Sequence, residues 1–172
     1  NAQNLGRVVC GEASEDQRHA GAQIGCHDLS SAQALDAAYD RAIKANPKLT
    51  EAYFNRGNAY YDLDQNEQAA KDYSEVIRLT PKDAEAFFNR GNVYRRLKKD
   101  DLALKDFSAA IKLHPEEAKN YINRGSIHFD ARRYDAALKD FGEALRLNPK
   151  DADTFYNRAN SHLALDKKEE AI

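Results

Sequence analysis

All four prolines of this 172-residue chain fall at one spacing: Pro47, Pro81, Pro115 and Pro149 stand 34 residues apart. Gly57, Gly91 and Gly125 keep the same step. So do two aromatic columns, one of Tyr53, Phe87, Tyr121 and Phe155, the other of Tyr39, Tyr73, Phe107 and Phe141. Ala69, Ala103, Ala137 and Ala171 form a fifth column. A fixed period in this range marks stacked supersecondary units, each burying its apolar face against its neighbours.

Each unit divides into two helical halves. From Ala84, apolar positions recur at Phe87, Phe88, Gly91, Tyr94 and Leu97, which is helical spacing. Lys98 to Asp101 break the pattern, and Leu102, Ala103, Leu104, Phe107, Ala110, Ile111 and Leu113 restore it. Pro115 ends the second half, because the residue before a proline avoids the helical region. Gly91 falls mid-helix, where glycine costs about 1 kcal/mol relative to alanine. Its recurrence predicts two helix backbones in close passage. Full units occupy 50–83, 84–117 and 118–151; residues 152–172 open a partial unit expected to stop inside its second helix. Residues 29–49, with Tyr39, Ala42, Ile43 and Pro47 in register, fit the second helix of a degenerate repeat. Residues 1–28 read as an N-terminal loop and a degenerate capping helix at about 16–28, with His19, Gln23 and Cys26 in place of aromatic, Gly and Tyr.

With 42% apolar and 31% charged residues, the chain is not built as a long disordered segment. No apolar run approaches the roughly 20 residues of a membrane helix, so membrane insertion is not expected. Twenty-six basic against 28 acidic residues, a net charge of −2, argues against bulk nucleic-acid binding. Having no Met, the sequence is expected to begin inside a longer one, downstream of a removed signal peptide. Cys10 and Cys26 fit one disulfide in an oxidising compartment or two thiols in the cytosol. The expected localisation is periplasmic or secreted, with the two cysteines bridged; cytoplasmic is the alternative.

The 34-residue period and the series Gly57, Tyr60, Ala69, Tyr73 and Pro81, with its further copies, resemble the tetratricopeptide repeat, TPR. The resemblance covers about 50–172. It implies an all-α fold, a right-handed solenoid of antiparallel helix hairpins whose first helices line a concave groove. By the same resemblance, Asn55, Asn89, Asn123 and Asn157 face that groove. An amide side chain has one acceptor and two donors, so it matches the C=O and N–H of an extended peptide. Helices packed about 8–10 Å apart would offer one Asn for roughly every third residue of a chain rising about 3.3 Å per residue. Asn58, Asn92, Ser126 and Asn160 lie one helical turn below. Tyr61, Arg95 and Arg96 complete the expected peptide-binding set, the arginines favouring acidic ligands.

The resemblance stops short of the carboxylate clamp of chaperone-binding TPR domains. Phe54, Phe88 or Ile122 stands where that clamp has its first Lys, so heat-shock chaperone tails are not expected as ligands. Arg56, Arg90 and Arg124 each precede an aspartate by 16 residues, Asp72, Asp106 and Asp140. Those pairs read as bidentate bridges between the two helices of each hairpin. His128 and His162 replace the packing tyrosines Tyr60 and Tyr94, and are read as packing residues; no Cys or carboxylate cluster suggests a metal, and no cofactor is expected. No phosphate loop or activated nucleophile appears. The expected function is a non-catalytic scaffold that holds an extended segment of a protein partner. The alternatives are a self-assembling homo-oligomeric module, or an interaction module of a larger protein.

Overall fold

The computed structural model describes residues 26–170, with side chains from 36 to 166. These residues form eight α-helices and no strand: α1 (Cys26–Ala45), α2 (Thr50–Asp62), α3 (Asn66–Leu79), α4 (Ala84–Arg96), α5 (Asp100–Leu113), α6 (Ala118–Asp130), α7 (Tyr134–Leu147) and α8 (Ala152–Glu170). Each helix packs chiefly on its neighbours in the chain, and α6 also touches α8. The result is a solenoid in which α2, α4 and α6 are first helices and α3, α5 and α7 second helices. Cys10, and with it the expected Cys10–Cys26 bridge, lies outside the described residues, as does most of the capping helix expected at 16–28.

Inside each hairpin the second helix sends an aromatic ring into the first. Tyr73, Phe107 and Phe141 are each at most 1% exposed, beside the fully buried Ala69, Ala103 and Ala137. The rings explain the glycine column. A Cβ on Gly91 would meet Phe107 Cε1 at 2.9 Å; one on Gly125 would meet Phe141 Cε1 at 2.9 Å. The close passage expected of two backbones is thus made by a ring instead. At the same place in α8, Ala159 is exposed and takes a methyl group freely.

The turn between the two helices closes by a six-residue loop-back. Gln65, Lys99 and Arg133 donate their N–H to Tyr60, Tyr94 and His128 carbonyls, each at 2.8 Å. That geometry sets Asp64, Lys98 and Arg132 at φ of 56°, 57° and 57°. Glycine or asparagine usually fills this place, and other residues cost about 1 kcal/mol or more there.

Two boundaries differ from the sequence reading. α8 runs unbroken through Leu165–Lys167, where the other units turn, so the start of a second helix expected within 152–172 is not formed. α1 likewise runs through Leu29–Ser31, joining Cys26–Asp28 to the helix expected to start at 29. The physical reason is the same at both ends. A left-handed turn residue is tolerated when a second helix packs back on the first, and neither α1 nor α8 has that partner among the described residues. Consistent with this, His162, expected to pack, is exposed, and Tyr156 is 69% exposed.

One arginine per unit joins three helices. Arg90 donates through Nε and Nη2 to the two oxygens of Asp106 on α5, at 2.7 and 2.8 Å, and through Nη1 to Ser74 Oγ on α3 at 2.9 Å. Arg124 repeats this with Asp140 on α7, at 2.9 and 2.7 Å, and Ser108 on α5, at 3.1 Å. Arg56 bridges Asp72 on α3, at 2.7 Å for both bonds, and Asp40 on α1. The guanidinium lies near aromatic rings, Phe87 and Tyr94 at 5.7 and 5.6 Å in the case of Arg90. The next member of the series, Arg158, stands opposite Gly142, which has no hydroxyl to offer.

Asp106→Ala should destabilise the fold by about 3–5 kcal/mol, since it leaves a largely buried guanidinium unpaired, and replacing Arg90 and Asp106 together by leucine should recover much of that. Equal urea midpoints for the single mutant and the parent would show that the pair does not hold the hairpin. The glycines should separate by sign. Gly91→Ala collides with the immobile Phe107 ring and should lower the midpoint. Gly142→Ala meets nothing within 4 Å and should stabilise α7 by about 0.5–1 kcal/mol; urea denaturation reads both.

Candidate functional site

The first helices present one face to the inside of the solenoid, and the side chains singled out in the sequence gather there in two shallow pockets. The first pocket, about 240 Å³, lies between α2 and α4 and is lined by Asn58, Tyr61, Asp62, Tyr73, Asn89 and Asn92. Its floor is the edge of the Tyr73 ring, whose hydroxyl donates to Asn58 Oδ1 at 2.6 Å. Burial raises the Tyr73 pKa well above the phenolic range, so the hydroxyl stays a donor. Asn89 Nδ2 also approaches Asn58 Oδ1, at 3.4 Å. With its oxygen so engaged, Asn58 has its NH₂ left to donate.

The second pocket, about 220 Å³, is lined by Arg95, Ser126, Phe129, Asp130, Phe141, Asn157 and Asn160. Here the floor ring is Phe141, without a hydroxyl. Ser126 Oγ donates to the Ile122 carbonyl at 2.9 Å, in its own helix. Between the pockets, Asn123 is engaged by the protein. Its Nδ2 donates to the Lys119 carbonyl at 3.0 Å, and its Oδ1 accepts from Arg95 Nη1 at 3.3 Å. Asn55 is exposed on α2, in a neighbouring pocket with Phe54, Thr80, Asp83 and Glu85.

The two arginines differ. Arg95 reaches forward along the stack, to Asn123 and to Asp130 at 3.8 Å. Arg96 turns back: Nη1 donates to the Tyr61 carbonyl at 2.9 Å and to Asp64 at 2.7 Å, and its guanidinium covers the Tyr61 ring at 3.7 Å. Arg96 therefore serves as an inter-repeat strut while remaining exposed. Tyr61, expected in the peptide-binding set, is covered by it. Sequence reasoning passed over Tyr73 and Asp62 as lining residues. The signal for Tyr73 was present, since it is a tyrosine where the later units carry Phe107 and Phe141.

Among the described residues, no group of three or more His, Cys, Asp or Glu could hold a metal ion, and no helix is long and apolar enough to cross a membrane. His128 lies on the hairpin interior, 4.0 Å from Asp140. Its Nδ1 is buried without a hydrogen-bond partner.

A helical-hairpin solenoid with a polar, amide-lined inner face defines a repeat scaffold. Family models of the tetratricopeptide repeat match residues 38–71, 57–98, 84–117 and 118–151. Together they span 38–151, about two thirds of the chain, and the protein belongs to the TPR family. Among solved structures, the crystal structure of MamA is 19% identical with a TM-score of 0.77, over 84% of this chain and 79% of that one. YrrB, described as a TPR protein with an unusual peptide-binding site, is 23% identical with a TM-score of 0.72, over 85% and 75%. The first TPR of Spaghetti (RPAP3), bound to the HSP90 peptide SRMEEVD, is 26% identical with a TM-score of 0.66, over 68% and 93%. No curated protein sequence matches the chain.

His128, in a hairpin interior, is expected to make stability depend on pH. Burial lowers the His128 pKa below its ordinary 6.5; the nearby Arg133 and Arg124 add to the fall, and Asp140 opposes it. The unfolded chain then binds the proton more readily than the folded one. Stability is complete above 6.5 and declines as pH falls through the folded value. His128→Tyr restores the residue of Tyr60 and Tyr94 and should abolish this part of the decline. Urea midpoints of parent and mutant between pH 7.5 and 5 measure it, and parallel curves would exclude His128 as the source.

Proposed function

We infer that this protein is a non-catalytic interaction scaffold whose inner face holds an extended segment of a partner protein. The TPR fold is a protein–protein interaction scaffold; the finer reading is supported by one observation above the rest. Six amide or hydroxyl side chains, Asn58, Asn89, Asn92, Ser126, Asn157 and Asn160, converge from separate units on two pockets of one face. Each amide pairs with peptide N–H or C=O without regard to the ligand's side chains. Asn58 presents donors only, so the first pocket selects a peptide carbonyl there. Asn55 extends the same face by one rung.

A second reading is self-assembly. Phe155, Tyr156 and Leu163 on α8 are 46%, 69% and 55% exposed, and such a face suits a second copy. Light scattering distinguishes the two: a concentration-dependent mass that Tyr156→Glu reduces to the monomer's favours assembly.

Screening a random peptide library supplies ligands for the groove. Asn55→Ala combined with Asn89→Ala should weaken each selected peptide by about 10- to 1,000-fold, at roughly 1–2 kcal/mol net per rung. The loss should be similar for unrelated peptides. The SRMEEVD peptide should bind no better than a scrambled control, because Phe54, Phe88 and Ile122 stand in the place of a clamp lysine. Unaltered affinity in a double mutant of parental thermal stability excludes the amide track.

A further inference from the structure

A further pocket lies apart from the two above. It measures about 320 Å³ and is lined by Lys82, Asp83, Ala84, Glu85, Phe88, His114, Glu117, Lys119 and Asn120, between the N-terminal ends of α4 and α6. Asn120 is the anomaly in it. The same place holds Ala52 in the first full unit, Ala86 in the second and Thr154 in the last, all buried, and the Thr154 hydroxyl finds its partner in Asp151. Asn120 is 2% exposed, and its Oδ1 accepts no hydrogen bond from the protein. A buried acceptor left unpaired is unfavourable, and an alanine at this place would carry no such cost. Packing alone does not account for an amide here.

The surroundings indicate what would satisfy it. The unpaired atom is an acceptor, so the missing group is a donor. Asp83, Glu85 and Glu117 bring carboxylates to the same pocket. Asp83 caps α4 by accepting the Ala86 N–H at 2.9 Å, and Glu117 lies 3.7 Å from Lys119 Nζ. Glu85 is exposed and in no ion pair with the described residues. Phe88 already carries a cation on its ring, Lys119 Nζ at 4.9 Å from the centroid. Acceptor, carboxylates and a ring that seats a cation are together the partners of a guanidinium, which donates in plane and stacks on an aromatic face. Lys82 and Lys119 oppose a second positive charge, and the three carboxylates Asp83, Glu85 and Glu117 outnumber them.

We propose that this pocket takes the guanidinium of an arginine in the bound segment, with Asn120 Oδ1 as its buried acceptor and Glu85 as its counter-charge. The proposal rests on the reading of the inner face as a peptide track. Asp83 and Glu85 also line the pocket of Asn55, so the two pockets adjoin. It sets specificity where the amide track is indifferent to sequence.

The probe is N-acetyl-arginine amide, titrated into the ¹⁵N-labelled protein and followed by NMR, with the citrulline counterpart as its neutral isostere. Saturable shifts at Phe88, Lys119 and the Asn120 side chain are expected, with citrulline about 10-fold weaker or more. Asn120→Ala should weaken the arginine probe by about 10- to 100-fold while keeping or raising the thermal midpoint, as Ala52 and Ala86 fill the same place. Glu85→Gln should weaken it in a salt-dependent way. Equal affinities for arginine and citrulline overturn the proposal. So does unaltered probe affinity in Asn120→Ala, or a lowered midpoint there, which would assign the amide a structural partner. A single-residue probe does not need the groove, so the two readings fail separately. Probe binding with no selected peptides leaves the pocket and removes the track; selected peptides indifferent to arginine, with no probe binding, do the reverse.

Discussion

The Arg90 guanidinium reaches three helices at once, and the stacking of the solenoid turns on that junction. Its Nε and Nη2 clasp Asp106, which sets the angle and register of α4 against α5. Its Nη1 reaches Ser74 on the preceding second helix, which ties one unit to the last. A planar fork with fixed donor directions fits one relative placement of the three helices and disfavours others. The Gly91–Phe107 contact does the same for distance, because the ring closes on the first helix only where no Cβ intervenes. One contact thus sets separation and the other sets register, once per unit.

The groove follows from this repetition. Because each hairpin is held alike, residues one period apart emerge at regular places on the inner face, and small differences between units become differences along the track. Tyr73 places a hydroxyl under Asn58, where Phe107 and Phe141 place none. Arg95 engages Asn123, so the middle of the track is occupied by the protein's own side chains. Arg96 is drawn back onto Tyr61 and Asp64. The face therefore has polarity along its length, with fixed donors at one pocket and a cation and open amides at the other. Such a face suits a ligand bound in one direction.

The junction also varies in strength. Arg56 meets two aspartates, Arg90 and Arg124 meet an aspartate and a serine, and Arg158 faces Gly142. The ties are most heavily charged toward the N-terminal side and weaken toward α8. In a quasi-one-dimensional stack each interface contributes nearly independently, so these differences act locally, junction by junction.

The repeat, its helical halves and the partner of each arginine were legible in the primary structure. They rest on local periodicity and on a spacing of 16 residues that two packed helices bring together. The recurrence of asparagines at matching places on the first helices was legible in the same way. What those side chains are free to do was not. Lys98 gave no sign of its left-handed turn, since it is neither glycine nor asparagine; that conformation is held by the packing of α5 back on α4. Nothing local stops α8 at Leu165, and it continues because no second helix packs on it among the described residues. Asn58, Asn123 and Arg96 find partners 15 to 35 residues away, and Asn120 lacks one, through the way neighbouring units stack. The sequence by itself determined the period of the repeat and the order of its helices, because helix formation and its period depend on near neighbours. Only the tertiary structure decided which polar groups are spent within the stack and which remain for a partner, because a hydrogen bond between units depends on the distance and angle at which whole helices meet.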